Sequence, residues 1–340
     1  MLVNNRTRIA AVGVGSAGIK IVSLLSRKSL LVDRYLYASC DRGDFSTVEP
    51  KDTILVESQV DQKLTPAVVR GLALGSTEAL KGALSRSKLV FVVAGLGGAT
   101  GSGLAPLIAS VAQKCGATVV GIAVMPFEFE KRMKFYAGVA LRRLRESSSG
   151  VVVVDNDTLM HSSTEDSTLA NLYDSANQAA VKSLGSLLSA GAPRPLGLTK
   201  LLGTVLQDGY SLLGVSSSGT KDKAEDALAG AVVSLGKLAE TKEASRALVS
   251  LNGNSALSAR DVGLAVGGLG SLMDNEEADV EYGVDQSGSA QLQVSVLASG
   301  FKSTKYDDYD PLGSVLGDRV IDGEMDFVLP CGLEALQPFD

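Results

Sequence analysis

Short β-branched apolar runs alternate with glycine clusters and helical stripes through the first half of the chain. Ile9–Val12, Arg34–Ser39, Thr53–Val56, Leu89–Val93, Ala117–Val124 and Val151–Val154 read as strands. Between them, helices are predicted from about Ile19 to Leu25, from Pro66 to Leu84 broken or bent near Gly71 and Gly75, from Leu104 to Ala109, and over 131–147. That alternation predicts an α/β fold with a Rossmann-like parallel sheet covered on both faces. Ligands of such sheets bind at the carboxyl ends of the strands.

A longer stripe follows. Leu169, Leu172, Ala176, Ala180, Leu184 and Leu188 lie on one face of a helix over 166–190. At 1.5 Å per residue it would be roughly 35–40 Å long, enough to join two domains. Pro193 and Pro195 are expected to end it. From Gly209 the pattern changes to strands at 210–213, 246–251, 280–284 and 291–296, with helices at about 221–239 and 258–272. The predicted plan is a ligand-binding domain over 1–165, a connecting helix over 166–192 and a smaller α+β domain over 193–302. A partly flexible extension over 303–340 completes it, with an acidic run at Tyr306–Asp310.

Two strand–glycine–helix units carry the candidate chemistry. Gly13-Val14-Gly15-Ser16-Ala17-Gly18 follows the first strand, and Gly97-Gly98-Ala99-Thr100-Gly101-Ser102-Gly103 follows Leu89–Val93. Glycines let main-chain N–H groups approach a phosphate, and a helix N-terminus adds free donors and partial positive charge. The second unit is not a Walker A loop, since no Gly-Lys-Ser/Thr follows. Asp41 ends the second strand at the same sheet edge, where an acid would serve a dinucleotide's ribose.

Composition narrows the classes. The chain has 340 residues and a net charge of −6, so neither nucleic acid nor an anionic membrane is a natural electrostatic partner. Its three cysteines, Cys40, Cys115 and Cys331, are far apart and suit a reducing compartment. The one histidine, His161, is expected in a loop and rules out most His-based triads or zinc sites. The start lacks a long apolar core, and the uncharged stretch 89–113 splits into strand, loop and helix; a cytoplasmic protein without membrane insertion is expected. The basic residues of 131–147 (Lys131, Arg132, Lys134, Arg142, Arg143, Arg145) are expected to form a solvated face.

Ala94–Gly103 resembles the signature loop of the FtsZ/tubulin superfamily, with Ala99 as one departure. Pro126–Glu130, Asp155–Leu159, Tyr173–Asn177 and Gly209-Tyr210 follow in the family's order, and the likeness spans roughly residues 7–302. The resemblance implies GTP/GDP as ligand, Mg2+ carried with the phosphates, and head-to-tail assembly into protofilaments. It implies a first phosphate loop of Gly15, Ser16, Ala17, Gly18, Ile19 and Lys20, and a second of Gly97, Gly98, Ala99, Thr100, Gly101 and Ser102. Lys20 stands where the family has a different residue, and either faces phosphate or sits on the helix surface. Tyr173 would stack on the purine and Asn177 would pair with the guanine edge. Asn156 matches a base or ribose contact, Glu130 a ribose contact, and Arg132 a phosphate-side arginine across a shortened spacing.

Polymerising members carry two acids in the loop after the long helix, and these reach a neighbour's nucleotide. Counting back from Gly209-Tyr210, the positions hold Gly197 and Lys200, and Asp208 is too far along to replace them. The resemblance therefore implies weak or absent hydrolysis in a homopolymer. β-Tubulin also has a lysine at the second position, so Lys200 is either a stabiliser of unhydrolysed γ-phosphate or a relic of an unused site. Two alternatives stand beside a filament-forming protein: a non-polymerising regulator or co-assembly partner of an FtsZ-like paralogue, and an NAD-binding oxidoreductase using Gly13–Gly18 and Asp41. Residues 333–340 are a candidate tail for a partner protein.

Overall fold

The hydrophobic runs of the first half pair into parallel strands, each followed by the segment that covers it. In the computed structural model, residues 8–28, 30–57, 64–160, 168–189, 195–219, 223–254, 257–286 and 291–310 are described. The expectations for His161, Pro193, Cys331 and the tail at 333–340 lie outside those residues.

The elements run β1 (Ile9–Val14), α1 (Gly15–Leu25), β2 (Arg34–Ser39), β3 (Thr53–Leu55), α2 (Pro66–Ala73), α3 (Thr77–Leu84), β4 (Leu89–Gly95), α4 (Ala99–Lys114), β5 (Thr118–Met125), α5 (Lys131–Glu146), β6 (Gly150–Asp155) and α6 (Asn156–Leu159). After them come α7 (Leu169–Leu188), α8 (Leu198–Val205), β7 (Tyr210–Ser218), α9 (Lys223–Gly236), β8 (Arg246–Asn252), α10 (Ala259–Gly267), α11 (Leu269–Met273), β9 (Asp279–Asp285) and β10 (Leu292–Phe301).

One ten-stranded sheet has the order β3-β2-β1-β4-β5-β6-β7-β10-β8-β9. The order reverses direction between β1 and β4, which run parallel from Ile9↔Leu89 to Val14↔Ala94. That switch point is where an open α/β sheet offers a crevice. The sheet is not interrupted after the parallel strands: Val152–Val154 pair in parallel with Ser211–Leu213. Only then does it become mixed, with β10 antiparallel to both β7 and β8.

Two apolar layers cover the faces. On one, Val12, Val92 and Val119 meet Leu104 and Ile108 of α4, Leu141 of α5 and, farther along, Leu228 of α9. On the other, Ile19 and Val22 of α1, Leu184 and Leu188 of α7 and Leu201 of α8 close over Phe91, Ile122 and Val152. The helix joining the two halves of the sheet is therefore part of its roof.

Several boundaries differ from the pattern's expectation. The glycine units are not loops followed by helices, because α1 already begins at Gly15 and α4 at Ala99. Of the two breaks expected, near Gly71 and Gly75, the one at Gly75 is found, where a single 3-10 turn over Leu74–Ser76 separates α2 from α3, while Gly71 lies inside α2. Helix α7 is shorter than 166–190: Thr168 caps its start by accepting from Asn171 N, and Ser189 leaves it in extended conformation. The helix expected at 258–272 divides at Gly268 into α10 and α11. Among the described residues, no helix is long and apolar enough to cross a membrane.

Candidate functional site

At the switch point the two glycine units touch. Gly15 (φ 67°) turns the chain from β1 into α1, and Gly97 (φ 102°) turns it from β4 toward α4; both lie in the left-handed region that glycine tolerates. Other glycines are needed for space instead. A methyl on Gly18 would lie 2.2 Å from the Val93 carbonyl oxygen, and one on Gly101 would lie 2.1 Å from the Gly95 oxygen. A Cβ on Gly15 would sit 3.3 Å from the Gly101 nitrogen. The first turns of α1 and α4 are thus in contact.

Neither turn is closed by its own side chains. Val14 and Gly98, the residues preceding α1 and α4, make no side-chain cap, and neither first turn carries an acid. By contrast, Asp155 caps α6, Thr168 caps α7 and Ser258 caps α10. Two uncapped N-termini side by side concentrate unpaired N–H donors and positive dipole ends. Such a cradle suits a polyanion.

The expected phosphate-loop residues fall into different roles. Ile19 is 1% exposed and packs in the core, so its side chain is a support and only its backbone is near the cradle. Ser102 is also buried, and its hydroxyl accepts from Gly97 N–H at 2.8 Å, which ties the turn to the helix. Thr100 borders both Gly15 and Cys40; burial pushes the Cys40 thiol up, against a hydrogen bond from Thr100. Lys20 extends across to α7, where its exposed Nζ is 3.2 Å from Asp174. Asp41 uses its carboxylate to accept from Gly43 N at 2.8 Å, closing its own 3-10 turn.

Between α7 and the turn before α5, Tyr173 and Glu130 come together. The Tyr173 hydroxyl donates to Glu130 Oε1, and Glu130 Oε2 accepts from Phe127 N at 2.8 Å. Burial and the adjacent carboxylate push the phenol up to about 12, so it remains a donor at neutral pH. Phe127 meets the Tyr173 ring edge-on at 5.6 Å. One turn along α7, Asn177 is 8% exposed, as is Asn156 at the start of α6. Their side-chain amides have no hydrogen-bond partner among the described residues. Arg132 is exposed on α5, next to Met133, which abuts Gly97.

The acid-loop positions are also placed. Gly197 precedes α8 at φ 76° and ψ 152°. Lys200, in the first turn, forms an ion pair with Glu281 of β9, at the far edge of the sheet. Asp208 is exposed beyond the other end of α8.

Four contacts were not visible in the local pattern. Glu281 reaches Lys200, Lys305 and Tyr306 both reach the buried Asp155, and Asp310 reaches Arg142 of α5. The basic stripe of α5 is therefore not only a solvated face: Lys134 pairs with Glu128, and Arg142 Nε lies 2.6 Å from Asp310. Residues 303–310, expected to belong to a partly flexible extension, are folded against α5 and β6.

Comparison with known proteins gives a consistent result. Residues 8–164 match the family model described as the Tubulin/FtsZ family, GTPase domain. The cell division protein FtsZ of Buchnera aphidicola subsp. Schizaphis graminum is 27% identical over 319 residues, covering 90% of this chain and 82% of that protein. Among solved structures, an FtsZ dimer of M. jannaschii aligns with a TM-score of 0.76 at 22% identity, over 88% of this chain and 90% of that one. A GTPγS-bound protofilament of CetZ2 from Haloferax volcanii aligns at 0.69 and 23% identity, over 89% and 96%.

Proposed function

The chain belongs to the FtsZ/tubulin superfamily, and on that premise we propose that it binds a guanine nucleotide at the α1–α4 junction and assembles head to tail in the cytoplasm, with slow turnover. The observation that carries this reading is the contact between two uncapped helix N-termini, Gly15 against Thr100 and Gly101. In it, the N–H groups of Gly15–Gly18 and Ala99–Gly101 hold the phosphates, Ser102 N–H being taken by the Gly98 carbonyl, and Mg2+ arrives with the phosphates. The Tyr173 ring flanks the purine, Asn177 offers both donor and acceptor to the guanine edge, and Asn156 and Glu130 serve the nucleoside from the other side. The boundaries near residues 165, 192 and 302 are part of the same proposal.

Slow turnover follows from the acid-loop positions. A positioned carboxylate contributes about 10²–10⁴-fold to general-base catalysis. Gly197 has none, and Lys200 is neutralised within its own chain by Glu281. A second reading draws on the same asymmetry: the cradle keeps its glycines while the acid face is lost. Such a chain suits co-assembly with an FtsZ-like paralogue that places intact acids over this nucleotide. The oxidoreductase alternative leaves the second glycine unit and the Tyr173/Asn177 pair without a role.

Pelleting with GTP, with phosphate followed in the same tube, separates these readings. Polymer that persists without phosphate release supports the first. Nucleotide binding without polymer, reversed by adding an acid-bearing paralogue, supports the second. Fast phosphate release by the pure protein contradicts both.

A further inference from the structure

Residues 304–310 belong to no strand, yet they are anchored at several points. Tyr306 is 2% exposed, its hydroxyl donates to Asp155 Oδ2, and Lys305 Nζ lies 2.7 Å from the same oxygen. Asp155 is itself 1% exposed, so its carboxylate needs hydrogen-bonding and charged partners in place of water. Its other oxygen accepts from Thr158 N at 2.8 Å and caps α6, whose first residue is Asn156. Farther along, the Tyr309 ring lies 5.0 Å from Lys134 Nζ, and Lys134 pairs with Glu128. Glu128 N in turn donates to Asp157 Oδ2 at 2.9 Å. The segment also passes so close to α5 that a methyl on Gly138 would lie 2.6 Å from the Tyr309 carbonyl carbon. It therefore spans both elements that carry the nucleoside-side candidates, Asn156 on α6 and Glu130 at the start of α5.

We propose that residues 304–310 form a strap that positions the nucleoside wall of the pocket. Tyr306 and Lys305 are positioning residues that act through Asp155 on Asn156. Tyr309 acts through Lys134 and Glu128 on the turn before Glu130. The inference rests on reading the pocket as a guanine-nucleotide site. It adds a selectivity: the phosphate cradle is built from the N-termini of α1 and α4, whereas the strap is anchored on β6 and α5. Lifting the strap therefore weakens recognition of the nucleoside and spares recognition of the phosphates.

The test uses the full chain with Tyr306→Phe and, separately, Gly138→Ala. The first removes one hydroxyl and keeps the ring; the second wedges the strap away while improving the intrinsic helix propensity of α5. Binding of GTP, ATP and inorganic tripolyphosphate is measured by calorimetry. GTP affinity is expected to fall about tenfold, the equivalent of one charge-assisted hydrogen bond. The preference for GTP over ATP should fall with it, while tripolyphosphate affinity stays within about twofold. Equal losses for GTP and tripolyphosphate would mean a merely structural role, and unchanged GTP affinity in both variants would equally overturn the proposal. If the parent chain binds no guanine nucleotide, the functional reading fails separately. The strap is then judged by hydrogen exchange: the Thr158 amide must lose protection in Tyr306→Phe and the Glu128 amide in Gly138→Ala, and unchanged protection of both refutes it.

Discussion

Replacing Lys200 by aspartate returns one carboxylate to the second acid-loop position. The ammonium now pairs with Glu281, and the two side chains are 35% and 42% exposed, so the pair contributes about 0–1 kcal/mol. An aspartate in the first turn of α8 gains about 0.3–1 kcal/mol from the helix dipole and faces some repulsion from Glu281. The net stability change is expected within about 1 kcal/mol, a Tm shift of roughly 2–4 °C. Gly197 is different. Its φ of 76° and ψ of 152° belong to a region that is essentially glycine-only, so an aspartate there costs about 1–3 kcal/mol. The single variant is therefore the cleaner perturbation. Phosphate release per pelleted subunit should rise by about 10²-fold, the lower end for one positioned carboxylate. Intact polymer with unchanged release in Lys200→Asp would refute the argument that the missing acid limits turnover.

Other consequences follow from the same geometry. Gly101→Ala places a methyl 2.1 Å from the Gly95 oxygen, so it should cost about 1–3 kcal/mol or more in chemical denaturation and abolish nucleotide binding. Tyr173→Phe keeps the ring and should leave most GTP affinity, whereas Tyr173→Leu should lose about 1–3 kcal/mol of stacking, read by fluorescent-nucleotide titration. The folded chain holds the Tyr173 phenol proton up to about 12, against 10.0 ordinarily. The stability this group contributes is thus complete below pH 10 and is lost as pH rises toward 12. Denaturation midpoints should fall less steeply over that window in Tyr173→Phe than in the parent, and identical slopes would contradict the assignment.

Most strands were legible as short apolar runs, β-branched in β4, β5 and β6 and tyrosine-bearing in β2, and β1 and β4 stand out through the glycines that follow them. What those glycines do was less so. Gly15 and Gly97 are needed for their backbone angle, but Gly18 and Gly101 are needed because β4 passes within contact distance. Sequence spacing cannot separate the two reasons, and it therefore delayed the start of both helices. Tyr173 and Glu130 were each singled out, yet their hydrogen bond joins residues 43 apart. The Lys200–Glu281 and Tyr306–Asp155 contacts span 81 and 151 residues. No local period encodes contacts of that range; they depend on which strands become neighbours in the sheet. The basic stripe of α5 shows the same limit, since what it faces is the returning chain at 304–310.

The central claim is that the α1–α4 junction is a guanine-nucleotide site. Calorimetric titration of nucleotide-free protein with GTP, ATP and NAD tests it most directly, with Gly101→Ala as the control for location. The account predicts saturable binding of GTP at one site per chain, weaker binding of ATP, none of NAD, and loss of the GTP signal in the variant. Binding of NAD in preference to GTP, or GTP binding that survives Gly101→Ala in a folded protein, would contradict it.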